Sequence, residues 1–306
     1  MTQPAATGVV AAVDIGTNSV RLLITNAAGE SLAREMNITR LGQGVDVAGV
    51  LHPDAIARTT AVLAGYRRLI EQHHATDVRA TATSAARDAG NRAAFFEAAR
   101  AALGTLPELL SGYDEAALSF RGATTGLAAS RAPFLVIDIG GGSTEFVLGA
   151  SAPEAAISVP LGAVRMTERH IRSDPPEPAE LAACVADVRT VLDTVRPRVP
   201  VARARTVLGV AGTVTTLAHL QQGCMSYAPS VTHHSQLKLS DVEQLCERLA
   251  SVSVAERRKL LADPKRAEVI VAGAVVLRTI MREFAITELV ASETDILDGL
   301  AASLRD

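Results

Sequence analysis

The sequence predicts an α/β protein built from two similar halves. Two segments, VVAAVDIGTNSVRLLI at 9–24 and FLVIDIGGGSTEFVLG at 134–149, share one pattern: an apolar strand, an aspartate, a polar turn with glycine and a second apolar strand. Each segment is followed by alternating strand and helix patterns, which are typical of α/β domains. The 306 residues suffice for two domains of roughly 150 residues each.

Composition and charge narrow the classes of protein that fit. The chain is 48% hydrophobic with a formal net charge of −3, so it can bury a core and has no overall positive field for nucleic acid. Its cysteines, Cys184, Cys224 and Cys246, form no paired motif and are expected to be reduced thiols. The N-terminus does not have the pattern of a secretory signal, and no apolar run is long enough to span a membrane. We therefore expect a cytoplasmic protein without a membrane partner.

The first half begins with a predicted three-stranded meander. Residues 8–14 and 20–25 have the pattern of buried strands around a GTNS turn, and 31–38 adds a third strand. A helix with proline at its start follows, then a strand, a helix, a strand and a helix that Ser111 can cap. These later elements are predicted at 53–74, 77–83, 91–103, 108–110 and from 111 onward.

The second half repeats this order from about residue 132, and we divide the chain into domains at 1–131 and 132–306. A hairpin is predicted at 134–139 and 144–149, with a third strand at 155–159. Residues 222–239, which include Tyr227, show no clear periodicity. The other predicted elements are helices beginning near 162 and 211, helices at 177–196, 240–250 and 264–284, strands at 205–210 and 287–291, and a last helix from 296.

The turn of each repeat has the composition of a phosphate-binding loop. Gly16 permits a tight turn, after which backbone N–H groups and the side chains of Asn18 and Ser19 can face a phosphate. Taken alone, this segment also fits an ordinary hairpin. The second copy favours a ligand, because consecutive glycines cost conformational entropy on folding and allow close approach of the backbone. The predicted phosphate-binding residues of the two turns are Gly16, Thr17, Asn18, Ser19, Gly140, Gly141, Gly142, Ser143 and Thr144.

Carboxylates beside the two turns predict a magnesium site. Asp14 and Asp138 end the strands before the turns, and Glu145 lies on the strand after the second turn. Magnesium takes one or two protein carboxylates and completes its shell with water and phosphate oxygens. We expect the two turns to face one another and to hold phosphates and the metal. The alternative for Glu145 is a solvated strand residue.

Six segments together resemble the exopolyphosphatase and guanosine-pentaphosphate phosphatase family. This family lies in the ASKHA superfamily of sugar kinases, heat-shock chaperones and actin. The resemblance implies two actin-like, ribonuclease H-like domains with an interdomain cleft, in the compact form that has no further C-terminal domain. The segments occur in family order over residues 9 to 220: AVDIGTNSVRLLI, RLGQGV, TATSAARDAGN, SGYDEAALSF, LVIDIGGGSTEFVLG and GVAGTVTTLA.

The resemblance also implies roles for single residues. Glu115 in SGYDEA corresponds to the general base toward the attacking water, and Arg87 in TSAARDAGN to a phosphate-binding arginine. Asp114 departs from the glutamate that is usual in the family. Gly212 and Thr213 match a third glycine turn, which opens a helix whose N-terminus favours an anion. Without the resemblance, the two acidic residues also fit a helix N-terminus, and Arg87 fits a surface ion pair.

A histidine pair and a set of basic residues are weaker candidates for ligand binding. The adjacent His233 and His234 would suit a metal, but neighbouring residues point apart on a strand or helix, which favours a polar loop. Five basic residues would extend a cationic track for a long polyanion, although each of them also fits an ordinary surface charge. They are Arg21, Arg40, Arg165, Lys265 and Arg266.

The implied reaction is hydrolysis of the terminal phosphoanhydride bond of inorganic polyphosphate, with release of orthophosphate. Water would attack in line with the help of magnesium, or alternatively manganese. The nearest alternative is a guanosine pentaphosphate (pppGpp) 5'-phosphohydrolase, which would bind a phosphorylated guanosine nucleotide in the same site. An ATP-dependent phosphotransferase and a non-catalytic phosphate sensor are further alternatives. The resemblance and the apolar C-terminal helices also suggest a homodimer.

Overall fold

A computed structural model describes residues 8–224, 226 and 228–306. Packing divides them into two compact units: one extends to Gly122 and includes Ile296–Asp306, and the other is Ala123–Asp295. The N-terminal segment that was tested for a secretory signal lies mostly outside the described residues, as does Tyr227. The domain division at 1–131 and 132–306 stays a prediction. It places Ile296–Asp306 in the second domain, whereas these residues pack with the first unit.

The first unit contains a five-stranded mixed sheet in the order β3-β2-β1-β4-β5. The first three strands form an antiparallel meander, while β4 lies parallel to β1 and β5 parallel to β4. β1 is buried along its whole length, as the apolar run of the sequence predicts. The strands are β1 (Val10–Ile15), β2 (Ser19–Thr25), β3 (Ser31–Ile38), β4 (Asp77–Ala82) and β5 (Glu108–Leu109).

Five helices alternate with these strands along the chain. They are α1 (Val45–Ala48), α2 (Pro53–Gln72), α3 (Ser84–Asp88), α4 (Arg92–Leu103) and α5 (Gly112–Thr124). Helix α2 begins at the predicted proline and buries Leu63, Tyr66 and Ile70 at helical spacing. These side chains share one hydrophobic core with β1, β2 and α4.

The second unit contains a six-stranded sheet in the order β10-β11-β9-β6-β7-β8. Counted from β8, its first five strands repeat the order and the strand directions of the first sheet. The predicted α/β class with two actin-like, ribonuclease H-like sheets is thus confirmed. The strands are β6 (Phe134–Ile139), β7 (Thr144–Gly149), β8 (Pro153–Val159), β9 (Thr206–Val210), β10 (Gln236–Lys238) and β11 (Glu288–Ala291).

Helices surround this second sheet, and one of them differs from its prediction. The predicted helix at 264–284 is wrong at its start: Pro264–Arg266 forms a 3₁₀ turn, in which the Asp263 side chain accepts from the N–H of Lys265 at 3.1 Å. The helices are α6 (Ala163–His170), α7 (Pro178–Val195), α8 (Ala211–Gln221), α9 (Pro229–Thr232), α10 (Leu239–Ala250), α11 (Val254–Leu260) and α12 (Ile270–Glu283). Short β10 and α11 are not predicted by periodicity.

The last helix, α13 (Ile296–Ser303), belongs to the first unit. Its Leu297 and Leu300 are buried in a small apolar cluster with Ala12 of β1 and Leu23 of β2. This cluster lies apart from the core that α2 and α4 share with the same strands. Among the helices of the described residues, none has both the length and the hydrophobicity needed to cross a bilayer.

Replacing two helical glycines by alanine should change the free energy of unfolding in opposite directions. A Cβ on Gly65 in α2 would meet only the end of the Arg68 side chain at 3.8 Å, so Gly65→Ala should raise the free energy of unfolding by about 0.5–1 kcal/mol. A Cβ on Gly299 in α13 would lie 2.0 Å from the Leu118 carbonyl oxygen, so Gly299→Ala should lower it by about 1–3 kcal/mol. Urea unfolding measures both changes, and equal signs would contradict the packing described.

The three cysteines are free thiols of unequal reactivity. Cys184 and Cys246 are buried, whereas Cys224 is partly exposed. Burial raises the pKa of Cys184 to about 12 and also raises the pKa of Cys246. Both stay protonated at pH 8 and are poor nucleophiles there. We expect a disulfide reagent at pH 8 to label one thiol in the native protein and three in guanidinium; fast native labelling of a second thiol would contradict this.

Candidate active site

Both predicted phosphate-binding turns are closed by the same hydrogen bond. The N–H of Gly16 donates to the Ser19 carbonyl at 2.9 Å, and the N–H of Gly140 donates to the Ser143 carbonyl at 3.0 Å. A Cβ on either glycine would lie only 3.1 Å or 3.3 Å from that carbonyl oxygen. A side chain would therefore crowd the closure, and the repeat of the sequence is also a repeat in geometry.

Three carbonyls of the second turn, those of Gly140, Gly141 and Gly142, are held by the start of α6. The donors are the N–H of Ala163 to Gly140 O (2.9 Å), the N–H of Val164 to Gly141 O (2.9 Å) and Nε of Arg165 to Gly142 O (2.7 Å). Because C=O and N–H of a trans peptide point in opposite directions, the N–H groups of residues 141–143 face away from α6. Successive N–H groups on one side of a turn form a concave site for an anion.

The first turn is held in the same way by the segment after β3. The N–H of Gly42 donates to the Thr17 carbonyl at 2.8 Å, and the N–H of Arg40 donates to the Asn18 carbonyl at 2.9 Å. The N–H of Asn18 consequently faces away from this segment. A Cβ on Gly42 would lie 2.3 Å from Cγ2 of Thr17, so only glycine allows the contact.

Gly162 plays the same part in the second unit, and the sequence analysis missed this pair. A Cβ on Gly162 would lie 2.3 Å from the carbonyl oxygen of Gly141. The signal was present, because Leu41-Gly42 and Leu161-Gly162 both follow the third strand of their half. Arg165, which had been considered for a cationic track, instead donates to the turn itself.

Glu115 and Arg87 lie at the same edge of the first sheet as the first turn. β1, β4 and β5 are neighbouring parallel strands, and their carboxyl ends lead into the turn, into α3 and into α5. Backbone hydrogen bonds from Thr83 to Ile15 (3.2 Å) and from Leu110 to Ala82 (3.1 Å) tie these exits together. This edge is the usual place for ligands in sheets with parallel strands.

The two residues form a partly buried ion pair. Nη1 of Arg87 lies 2.8 Å from Oε2 of Glu115 and also donates to the Leu110 carbonyl at 2.9 Å. Glu115 is 8% exposed, whereas its neighbour Asp114 is exposed and exchanges hydrogen bonds with Ser111 at the start of α5. Ser111 thus caps α5 as predicted, because its Oγ accepts from the N–H of Asp114 at 3.1 Å, and the Asp114 carboxylate accepts from the Ser111 hydroxyl in return.

The two repeats differ in charge at one position beside the turn. In the first unit Arg21 stands directly opposite Asp14, and its Nη2 donates to Oδ2 of Asp14 at 2.7 Å. In the second unit the residue opposite Asp138 is Glu145, and both carboxylates are buried, with 6% and 1% exposure. Like charges at directly opposite positions repel, and a bound cation would relieve that repulsion; Glu145 also accepts from the Ser158 hydroxyl at 2.7 Å.

One of the five basic residues considered for a cationic track, Arg266, lies at the third glycine turn. Gly212 and Thr213 lie in the first turn of α8, after Ala211 with its left-handed φ of 66°. A Cβ on Gly212 would lie 1.7 Å from Nη1 of Arg266, so this guanidinium lies against the helix N-terminus. Both the helix end and the guanidinium favour a negative charge there.

His233 and His234 lie in a turn between α9 and β10, which confirms the predicted loop. Their rings nevertheless stack with centroids 3.7 Å apart, since His234 has a left-handed φ of 64° and the two residues are in neither a strand nor a helix. Burial lowers the pKa of His234. No group of three or more His, Cys, Asp or Glu side chains that could hold a metal occurs in the part of the chain that the structure describes.

Each unit thus gathers its own set of predicted residues at one sheet edge. The first unit brings the turn at 16–19 together with Arg87 and Glu115, and the second brings the turn at 140–144 to the edge where α8 begins. Ser292 and Asp295, both buried, follow β11 at this second edge and were not predicted. They could have been predicted from their position, because they follow a short strand as Ser111 follows β5.

Comparisons with known proteins agree with this geometry. The model of the Ppx/GppA phosphatase family matches residues 23–305. Exopolyphosphatase 2 of Mycobacterium tuberculosis is 45% identical over 312 residues, which cover 96% of this chain and 98% of that protein. An exopolyphosphatase-like protein of known structure has a TM-score of 0.92 at 36% identity, covering 96% of this chain and 98% of its own. The PPX-GPPA enzyme of Aquifex aeolicus has a TM-score of 0.78 at 31% identity, and the match covers 97% of this chain and 99% of that enzyme's chain. The chain described here belongs to the Ppx/GppA phosphatase family.

Proposed function

We propose that this chain is an exopolyphosphatase that removes terminal phosphate from inorganic polyphosphate by magnesium-assisted, in-line attack of water. Its class, a phosphoanhydride hydrolase, follows from the family and from the 45% identical exopolyphosphatase. The observation that carries the mechanism is the buried Glu115 carboxylate, held by Arg87 at the sheet edge that also bears the first turn.

Glu115 would accept a proton from the attacking water. The guanidinium of Arg87 favours the ionised carboxylate, which is the form that can act as a base. Arginine has five N–H donors, and the two hydrogen bonds that Arg87 makes to Glu115 and Leu110 both use Nη1. The remaining donors can bind oxygens of the phosphoryl group and stabilise the charge that spreads over them in the transition state.

Besides Arg87, backbone donors and Arg266 would hold the phosphate chain. The N–H groups of residues 141–143 face one side of the second turn, and the N-terminus of α8 with Arg266 forms another positive site in the same unit. Arg21 and Arg165 are engaged with Asp14 and Gly142. Of the five basic residues considered for a cationic track, we assign Arg266 to the substrate because its guanidinium lies against Gly212 at the N-terminus of α8; its Nε also lies 3.8 Å from Oδ2 of Asp263.

Magnesium fits the carboxylates of the second unit. Asp138 and Glu145 offer two buried carboxylates at directly opposite strand positions, a donor set that a hard cation with phosphate and water ligands can use. Such a cation neutralises charge on the phosphate oxygens when bound. At Asp14 a cation would instead face the positive charge of the Arg21 guanidinium, which donates two hydrogen bonds to Oδ2. Manganese has the same preference for oxygen ligands.

Hydrolysis of pppGpp is the alternative, because it removes a terminal phosphate by the same chemistry. The cytoplasmic location and the homodimer stay predictions. The deciding experiment measures orthophosphate release with magnesium from long polyphosphate, short polyphosphate, ATP and pppGpp in parallel, with Glu115→Ala as the control. Polyphosphate turnover that the variant loses would support the proposal. Turnover of pppGpp alone would favour the alternative, and binding without release would indicate a sensor.

A further inference from the structure

One arginine of the second unit is almost fully buried and takes no part in the chemistry above. Arg257 on α11 is 1% exposed and has the largest side chain among the fully buried ones that the structure describes. Burial lowers the pKa of its guanidinium, and the Asp174 carboxylate opposes this shift. Its partner carboxylate is 45% exposed, so the pair recovers only part of the cost of taking the guanidinium out of water. The contacts of Arg257 indicate what it contributes instead.

The guanidinium of Arg257 ties three separate segments together. Its acceptors are Val252 O for Nε (3.1 Å), Ala267 O for Nη1 (2.8 Å) and Asp174 Oδ1 for Nη2 (3.0 Å). The same Asp174 accepts from the N–H of Val254 at 2.8 Å, at the start of α11. Because the guanidinium is planar and its donors have fixed directions, it fixes where these acceptors lie relative to one another.

One of the three acceptors adjoins the arginine at the anion site. Ala267 is fully buried and directly follows Arg266, the last residue of the 3₁₀ turn that begins at Pro264. The hydrogen bond to the Ala267 carbonyl therefore fixes the backbone next to Arg266. From this backbone the Arg266 side chain extends to Gly212 at the N-terminus of α8, and its Nε lies 3.8 Å from Oδ2 of Asp263 in the same turn.

We propose that Arg257 is a positioning residue for polyphosphate binding: it holds the turn that carries Arg266, so that the Arg266 guanidinium stays at the N-terminus of α8. This inference rests on the proposed function, because it takes Arg266 as a ligand of the phosphate chain. A turn without this hold must be ordered when the substrate binds, and the cost of that ordering is subtracted from the affinity. The groups that carry out the chemistry are unchanged.

The first test compares two neighbouring arginines of α11. Arg257→Lys keeps the charge but loses the planar fork, whereas Arg258→Lys changes an exposed residue paired with Glu268 at 2.9 Å. Affinity for inorganic tripolyphosphate is measured by calorimetry in EDTA, at a temperature where circular dichroism shows each variant folded. We expect Arg257→Lys to weaken binding about tenfold and Arg258→Lys to leave it within about twofold. Unchanged affinity in Arg257→Lys would overturn the inference.

The second test asks whether Arg257 acts through Arg266. Arg266→Ala should weaken tripolyphosphate binding at least as much as Arg257→Lys, and the double variant should bind as the Arg266→Ala protein does. Additive losses in the double variant would overturn the positioning role. If Arg266→Ala alone binds normally, both the role of Arg266 and this inference are wrong. Should Arg257→Lys not fold, Asp174→Asn removes one of the three anchors and enters the same comparison.

These binding measurements do not depend on turnover. If the wild type releases no orthophosphate and the coupling between Arg257 and Arg266 is present, the hydrolase proposal fails and the positioning role stands. If turnover is present and the coupling is not, the positioning role alone fails.

Discussion

Glu115→Gln should lower kcat for orthophosphate release from polyphosphate by about 10²–10⁴-fold, the usual contribution of a general base. Glutamine keeps the size of the side chain and still offers an oxygen to Nη1 of Arg87, which lies 2.8 Å from the carboxylate in the wild type. It cannot accept a proton from water. Initial rates at saturating long polyphosphate, with magnesium in excess, measure the change.

The matched control is the adjacent acidic residue. Asp114 is exposed and bonds only locally to Ser111 at the start of α5, so Asp114→Asn should keep kcat within about threefold and lower stability by less than about 1 kcal/mol. If Asp114→Asn lowers kcat more than Glu115→Gln does, then Glu115 is not the general base. Equal, small losses in both would remove general-base catalysis from the mechanism.

Gly162→Ala should lower kcat/KM by about 10²-fold, because a displacement near 1 Å in a catalytic site has effects of this size. The added Cβ would lie 2.3 Å from the carbonyl oxygen of Gly141 and 2.5 Å from the backbone nitrogen of Gly142. Both contacts are with backbone atoms, so the turn itself must move. The three N–H groups that face the proposed phosphate site move with it. Steady-state kinetics with polyphosphate measure the effect.

Gly65→Ala is the control for this change, since it adds the same methyl group in open space on α2 of the other unit. It should leave kcat/KM unchanged while stability rises. Urea unfolding of Gly162→Ala separates displacement of the turn from loss of the fold, because overpacking lowers stability by about 1–3 kcal/mol. A folded Gly162→Ala protein with normal kcat/KM would show that the second turn does not bind the reacting phosphates.

The hairpins, their turns and the two-sheet architecture could be predicted because each depends on local sequence. Buried strands on either side of a glycine turn leave the same pattern wherever they occur, and the pattern at Asp14 returns at Asp138. Family resemblance selected Glu115 and Arg87, whose roles stay predictions. What the structure adds is their pairing, which depends on β4 lying between β1 and β5.

Other features depend on contacts between distant segments and could not be predicted in this way. Arg266 reaches Gly212 only because a 3₁₀ turn replaces the first residues of the predicted helix at 264–284. Apolar periodicity does not reveal that turn, since the buried run of α12 begins after it. The stacking of His233 on His234 likewise depends on a single left-handed residue.

The path of the chain through the two units has a consequence for how the protein is made. The first unit is left at Gly122 and completed only by Ile296–Asp306, whose Leu297 and Leu300 cover Ala12 and Leu23. On the ribosome, the strands β1 and β2 emerge early, yet the helix that covers one of their faces is synthesised only after the whole second unit. The first unit therefore cannot complete its fold until the second unit has been synthesised, and one apolar face of β1 and β2 stays uncovered until α13 emerges.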